Sequence, residues 1–116
     1  MKVVSMNDGT KIGYEVTGTK LSIGDGALTI DLSRYQKDYD VEKDIMVDRE
    51  GDLAIGTGAF YVAQALIPAI TYTETTTTNT DEESGETTES TERTANALDM
   101  DEVTLRLFSI DGIKIN

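Results

Sequence analysis

The sequence contains no cysteine, no histidine and no tryptophan, and only one proline among its 116 residues. Without cysteine, the chain has neither disulfide bonds nor thiolate metal ligands. Without histidine as well, the nucleophile–imidazole pairs of many hydrolases and the commonest general base are excluded. We therefore predict that the protein is not an enzyme, and we expect no cofactor.

Positive charge is also scarce. The chain has 10 Lys and Arg against 22 Asp and Glu, which gives a formal net charge of -12 at pH 7. The basic residues are scattered singly between Lys2 and Lys114. Nucleic acids and anionic membrane surfaces are bound by clustered Lys and Arg, so neither is predicted to be a partner.

Long apolar runs are few. Residues 53–73 carry no charge, but Gly56, Gln64 and Pro68 interrupt them, and buried core elements are a better interpretation than a membrane span. Only Val3 and Val4 follow Lys2 before polar residues resume, so no signal peptide is predicted.

The sequence is instead rich in turn residues between short segments that favour β-strands. Asn7-Asp8-Gly9, Gly24-Asp25-Gly26 and Asp111-Gly112 are turn signals, because these residues tolerate positive φ. Alternating patterns between them predict a mainly β fold, namely an antiparallel β-sandwich or small barrel, with or without one short helix. We treat residues 1–116 as one domain.

The alternation also predicts individual elements. Strands are predicted over residues 2–6, 10–16, 21–23, 27–32, 39–47, 53–55, 102–110 and 113–115. Two hairpins are predicted among them: residues 21–23 pair with 27–32, and residues 109–110 pair with 113–114 across the Asp111-Gly112 turn. Between Gly58 and Ile67 a short helix over residues 58–66 and a buried strand over residues 61–67 remain alternatives. The apolar residues predicted to be buried are Leu28, Ile30, Leu32, Val103, Leu105 and Leu107.

Residues 71–94 form a separate compositional zone inserted in this domain. They hold eleven Thr, seven Asp or Glu and one Arg, for a net charge of -6. One interpretation is a disordered acidic loop, because the segment has little apolar surface to bury. The other is a hairpin arm that becomes ordered on assembly, because Thr-rich halves flank a polar tip at residues 79–86. The candidate assembly residues are Thr73, Glu74, Thr75, Thr76, Thr77, Thr78, Thr87, Thr88, Glu89, Thr91 and Glu92.

One acidic segment has the residue types of a hard-cation site. Asp48, Glu50 and Asp52 alternate along a short turn, and Ca²⁺ is bound by such oxygen ligands. Counted from Asp48, however, the sixth residue is Leu53 and the twelfth is Ala59, where an EF-hand requires Gly and Glu. An EF-hand is therefore excluded, and weak calcium binding at an irregular site remains an alternative to simple solvated charges.

Several segments together resemble a family of phage proteins. They are residues 2–4, 8–12, 28–32, 67–68 and 98–105, whose sequences are KVV, DGTKI, LTIDL, IP and LDMDEVTL. They resemble small proteins encoded in the structural modules, particularly the tail modules, of phages and prophages of Gram-positive gut bacteria. The resemblance covers about half of the chain, and the Thr/Glu zone departs from it in length and composition. It implies a virion component of the tail or baseplate, with other virion proteins or copies of itself as partners and no catalytic residues. The expected location is therefore the virion if the protein derives from a phage, and otherwise the cytoplasm.

A second hypothesis is a small carbohydrate- or surface-binding β module. Tyr14, Tyr35, Tyr39 and Tyr61 are the candidate stacking residues for a sugar ring. Tyrosine is more often half-buried core than a sugar platform, and no tryptophan accompanies these four. The assembly protein is therefore the first hypothesis.

Overall fold

Ten strands and two short 3₁₀ helices form the fold of residues 1–116 in this computed structural model. The strands are β1 (Lys2–Ser5), β2 (Tyr14–Thr17), β3 (Lys20–Ile23), β4 (Leu28–Asp31), β5 (Val41–Val47), β6 (Leu53–Ile55), β7 (Phe60–Ile67), β8 (Tyr72–Thr80), β9 (Thr87–Ala95) and β10 (Thr104–Leu107). The 3₁₀ helices are Leu32–Tyr35 and Met100–Glu102. Neither has the length and apolar character of a membrane-crossing helix. The prediction of a mainly β fold is confirmed.

The larger sheet has the strand order β1-β10-β7-β5-β6. Its pairs are antiparallel except β1 and β10, which run parallel from Lys2 beside Thr104 to Ser5 beside Leu107. The predicted antiparallel pairing is thus found throughout this sheet except at the edge between β1 and β10. The physical reason is that nearly the whole chain separates β1 from β10, so no tight turn imposes an antiparallel direction.

The smaller sheet is the antiparallel meander β2-β3-β4. The turn between β3 and β4 has the composition expected for it, since Gly24, Asp25 and Gly26 all have positive φ. The predicted hairpin of residues 21–32 is thus confirmed. The predicted strand over residues 10–16 begins later, at Tyr14.

The two sheets enclose one core, so the globular body is a sandwich of two layers. Leu21 and Ile23 of the smaller sheet belong to the same buried cluster as Ile45 and Leu105 of the larger one. Of the predicted core residues, Leu28 is only partly buried. The buried ones are Ile30, Leu32, Val103, Leu105 and Leu107.

The segment with two alternatives is the strand β7, and no helix forms there. Its register against β5 shifts between Ile45 and Met46, which lie opposite Ala63 and Tyr61. This bulge places the consecutive residues Val62 and Ala63 both in the core. Such a buried strand has neither the period of a helix nor strict alternation, which explains the ambiguity in the sequence.

The predicted C-terminal hairpin is wrong. Ile113 donates to Ile110 in a single turn at 2.9 Å, and no strand follows. Ser109 instead bridges to Lys11, and the Ile110 amide donates to Thr10 at 2.8 Å. The Asp-Gly turn forms as the sequence indicates, but residues 10–11 occupy the position that the sequence assigned to residues 113–115.

Candidate functional site

A hairpin of β8 and β9 projects from the globular body. The two strands pair only with each other, over nine residue pairs from Tyr72–Ala95 to Thr80–Thr87. Every residue in them except Tyr72 is exposed. The molecule is consequently 77 Å long and only 23 × 22 Å across. Residues 71–96 thus have the form of a hairpin, and we call them the arm.

The arm includes all of the candidate assembly residues. Directly paired residues share a face, so Thr73, Thr75 and Thr77 lie beside Thr94, Glu92 and Ser90 on one side of the ribbon. The hydroxyls of Thr76 and Thr91 lie 3.3 Å apart on the other side. Because β-branched residues favour extended backbone, the threonines stabilise the ribbon without forming a core.

Both long edges of the arm present unpaired backbone groups. At the root the Asn96 amide donates to the Thr71 carbonyl, and at the tip the Asp81 amide donates to the Glu86 carbonyl. These two bonds show which residue pairs of the ribbon are hydrogen-bonded to each other. In an antiparallel pair these alternate with residues whose N–H and C=O point outward. The outward-pointing residues of β8 are therefore Tyr72, Glu74, Thr76, Thr78 and Thr80, and those of β9 are Thr87, Glu89, Thr91, Arg93 and Ala95.

Most of the arm's charge is at its tip. Residues 81–86 contain four of its seven carboxylates, while β8 carries only Glu74. The tip turn is built on Asp81, whose carboxylate accepts from the Glu83 amide at 2.9 Å. That backbone donor, with the Ser84 amide, holds the pKa of Asp81 below its usual value. Asp81 is therefore ionised at neutral pH, and the acidic tip repels other anionic surfaces.

The root of the arm is fixed to the body by Tyr72. Its phenol donates a hydrogen bond to the Asp38 carboxylate, and the Arg93 guanidinium lies 3.6 Å from the centre of its ring. The Asn96 side chain donates to the Thr71 hydroxyl at 3.1 Å and accepts from the Thr73 hydroxyl at 2.9 Å. The bond to Asp38 joins the arm to the body, and the other contacts hold the two strands together at the root.

Alkaline pH should release this root. Donation to Asp38 is the main reason that the pKa of Tyr72 lies above its ordinary value of 10.0. A raised folded-state pKa means that the bond's contribution is complete below pH 10.0 and is lost as the pH rises through the raised value. We expect the tyrosinate absorbance of the parent protein minus that of Tyr72→Phe to rise above pH 10.0. Tyr39→Phe is the control, because Tyr39 is 66 % exposed and its loss should leave that rise unchanged. A Tyr72 signal that rises at or below pH 10.0 would contradict the proposed root.

The predicted acidic cluster is also present. Ligand oxygens of Asp48, Glu50 and Asp52 all lie within 4.8 Å of one another. The Asp48 carboxylate accepts from the Glu50 and Asp52 amides, both at 2.9 Å, and the Asn116 side chain donates to Asp52 at 2.6 Å. These bonds shape the turn between β5 and β6 and attach the C-terminal residue to it. Calcium binding at this turn stays a prediction.

The body has an exposed apolar patch where β7 begins. β7 begins there with Phe60 and Tyr61, which are 46 % and 47 % exposed, and ends near the arm's root. The Tyr61 and Phe108 ring centres are 6.0 Å apart. Met6, which is 45 % exposed, lies beside them, because its amide donates to the carbonyl of Leu107, the residue before Phe108. The sequence does not indicate this patch, because the patch combines the ends of β1, β7 and β10, which are distant from one another in the chain.

The four candidate sugar-stacking tyrosines lie in different parts of the fold. Tyr14 is on β2, Tyr61 is on β7, and Tyr39 is in the loop before β5. Tyr35 ends a 3₁₀ helix, with the Lys43 ammonium 5.0 Å from the centre of its ring. The aromatic pair in the structure joins Tyr61 to Phe108 at an interplanar angle of 43°, so no flat platform unites the four.

Comparisons with protein-family models, curated proteins and solved structures found no match to this chain. The function of the protein is therefore inferred from the geometry of the arm and the body.

Proposed function

We propose that the protein is a non-enzymatic structural component of a phage or phage-like particle, of the tail or baseplate or another virion component, that assembles through its arm. The observation that supports this most is the arm itself, a nine-pair ribbon whose two edges are unpaired and whose strands contribute nothing to the core. Its partners are other virion proteins, copies of this chain, or both.

The energetics of the arm favour an assembly role. A two-stranded hairpin without a packed face is marginal in water, because few contacts offset its ordering entropy. Each outward-pointing N–H and C=O is solvated in the monomer and can pair with a strand of another subunit. Binding would therefore add a ladder of backbone bonds and would order the arm further.

The body offers a second kind of contact. Its exposed patch around Tyr61 and Phe108 is aromatic, as the centres of protein interfaces tend to be. The patch lies where β7 begins and the arm follows the end of β7, so these two surfaces are separate and each can contact a different neighbour. The phage assignment depends on the resemblance in residues 2–4, 8–12, 28–32, 67–68 and 98–105, which belong to the body apart from the arm.

Removing the arm tests this function. We expect replacement of residues 73–94 by a short Gly-Ser linker to leave the thermal midpoint of the body almost unchanged, because loop-closure free energy depends weakly on length. The same variant should no longer be incorporated into particles purified from cells that produce it. The two measurements are calorimetry of the dilute monomer and immunoblotting of the particle fraction.

A matched control keeps the arm but alters its charge. Asp81→Asn with Glu82→Gln, Glu83→Gln and Glu86→Gln removes the four tip charges and retains the nine ribbon pairs. We expect this variant to be incorporated into particles. Incorporation of the armless protein at parental levels would rule out the arm as the assembly element, and a large loss of its thermal stability would show that the arm supports the body.

A further inference from the structure

The two edges of the arm differ in charge. Residues Thr75–Thr80 of β8 contain six consecutive uncharged residues with neither Gly nor Pro. The residues of β9 that pair with them, Thr87–Glu92, include the charged Glu89 and Glu92. Soluble proteins commonly protect exposed sheet edges with charged residues, Pro or bulges, because an unprotected edge pairs with other chains. By that criterion β9 is protected and β8 is not.

We propose that β8 pairs with β8 of a second copy of this chain, antiparallel about a two-fold axis, to form a four-stranded sheet from two arms. This inference rests on the proposed assembly function and specifies one partner and one edge. A two-fold interface uses the same surface on both subunits, so a single unprotected edge is sufficient to build it.

Charge selects the antiparallel direction. Parallel pairing would place the two tips side by side, each with four carboxylates in residues 81–86. Antiparallel pairing separates the tips by most of the ribbon, which at about 3.4 Å per residue exceeds the ~10 Å screening length in 0.1 M salt. Because each copy carries a net charge of -12, dimerisation should strengthen as salt concentration rises.

Charge and shape also select the register, with Thr77 on the axis. In that register Thr76 lies opposite Thr78 of the second copy, and Glu74 lies opposite Thr80. A shift of the axis to Thr78 would set Glu74 against Glu82. A shift to Thr76 would set Glu82 of the tip opposite the apolar Ile70, whose amide donates to the Lys37 carbonyl of the body. The axis at Thr77 avoids both conflicts.

Single cysteines test the pairing directly, since the chain has none of its own. At a residue on the axis that does not bond across the interface, the two Cα atoms lie about 4.5 Å apart, within the range of a disulfide. We expect Thr77→Cys to form disulfide-linked dimers under mild oxidation. Ser90→Cys is the matched control, because Ser90 pairs with Thr77 on the same face but belongs to β9, and it should stay monomeric.

Proline substitutions test the same edge without cross-linking. The Thr76 and Thr91 amides both point outward and the two residues are paired, so Thr76→Pro and Thr91→Pro remove equivalent donors from opposite edges. In the two-fold dimer the Thr76 amide of each copy donates to the other copy, so Thr76→Pro removes two hydrogen bonds. Their loss should weaken dimerisation at least about tenfold. Analytical ultracentrifugation at several salt concentrations measures this, and Thr91→Pro should dimerise as the parent does.

Two outcomes would overturn the inference. In one, Ser90→Cys cross-links as readily as Thr77→Cys, and in the other, neither cross-links and the parent stays monomeric at every concentration and salt level. In both cases the proposed function is judged separately, by whether the armless variant still enters particles. An armless protein that enters particles would contradict the proposed function, whatever the cysteine variants show.

Discussion

Leu105→Ala should lower the free energy of unfolding by about 2–5 kcal/mol, the range for large-to-small changes in well-packed cores. Leu105 is fully buried at the centre of β10, between Val3 of β1 and Ala65 of β7. Leu105 packs in the core that both sheets share. The cavity left by its truncation could close only if the two sheets moved together, so little of the lost packing should be recovered. For a body of this size each kcal/mol shifts the thermal midpoint by about 4–8 °C, and calorimetry should detect a fall of at least about 8 °C.

Leu66→Ala is the matched control for this prediction. Leu66 lies on the adjacent strand β7 opposite Thr104, but its side chain is on the outer face and only partly buried. Its truncation should cost less than half as much as that of Leu105, because less apolar surface returns to water. Equal losses for the two variants would contradict the assignment of the inner face.

The body was largely predictable because its strands alternate and its turns use residues that tolerate positive φ. Strand β4 shows this clearly, since Ile30 faces the core and Thr29 does not, as the alternation predicts. The C-terminal hairpin was not predictable, although Asp111-Gly112 does form a turn. Ser109 pairs with Lys11, which is about a hundred residues away in the sequence. The local sequence pattern around Ser109 contains no information about so distant a partner.

The arm was predictable as a ribbon but not in its details. The repeated threonines indicate extended backbone, and the tip composition indicates a turn. The root could not be foreseen, because Tyr72 reaches Asp38 from a different part of the chain. The difference in charge between the two edges was not predictable either. It depends on which residues of each strand point their N–H and C=O groups outward, and the sequence alone does not specify this.

Gly58→Ala should destabilise the body by about 2–5 kcal/mol, although glycine to alanine is a small change. Gly58 has φ +156°, and an added Cβ would lie 2.7 Å from the Met46 Cβ and 2.9 Å from the Val47 carbonyl oxygen. That oxygen already accepts from the Ala59 amide at 2.9 Å. Backbone strain and overpacking, each worth about 1–3 kcal/mol, therefore act together.

Gly56→Ala separates these two contributions. Gly56 lies in the same turn with φ +79°, and an added Cβ there would meet no atom within 4 Å. Its substitution should cost only the conformational penalty, about 1–2 kcal/mol. The difference between the variants in denaturant-induced unfolding then measures the close approach of the turn to β5. If the two changes cost the same, the turn is not packed against Met46 and Val47, and the direction in which β7 presents Phe60 and Tyr61 would have to be fixed by other contacts.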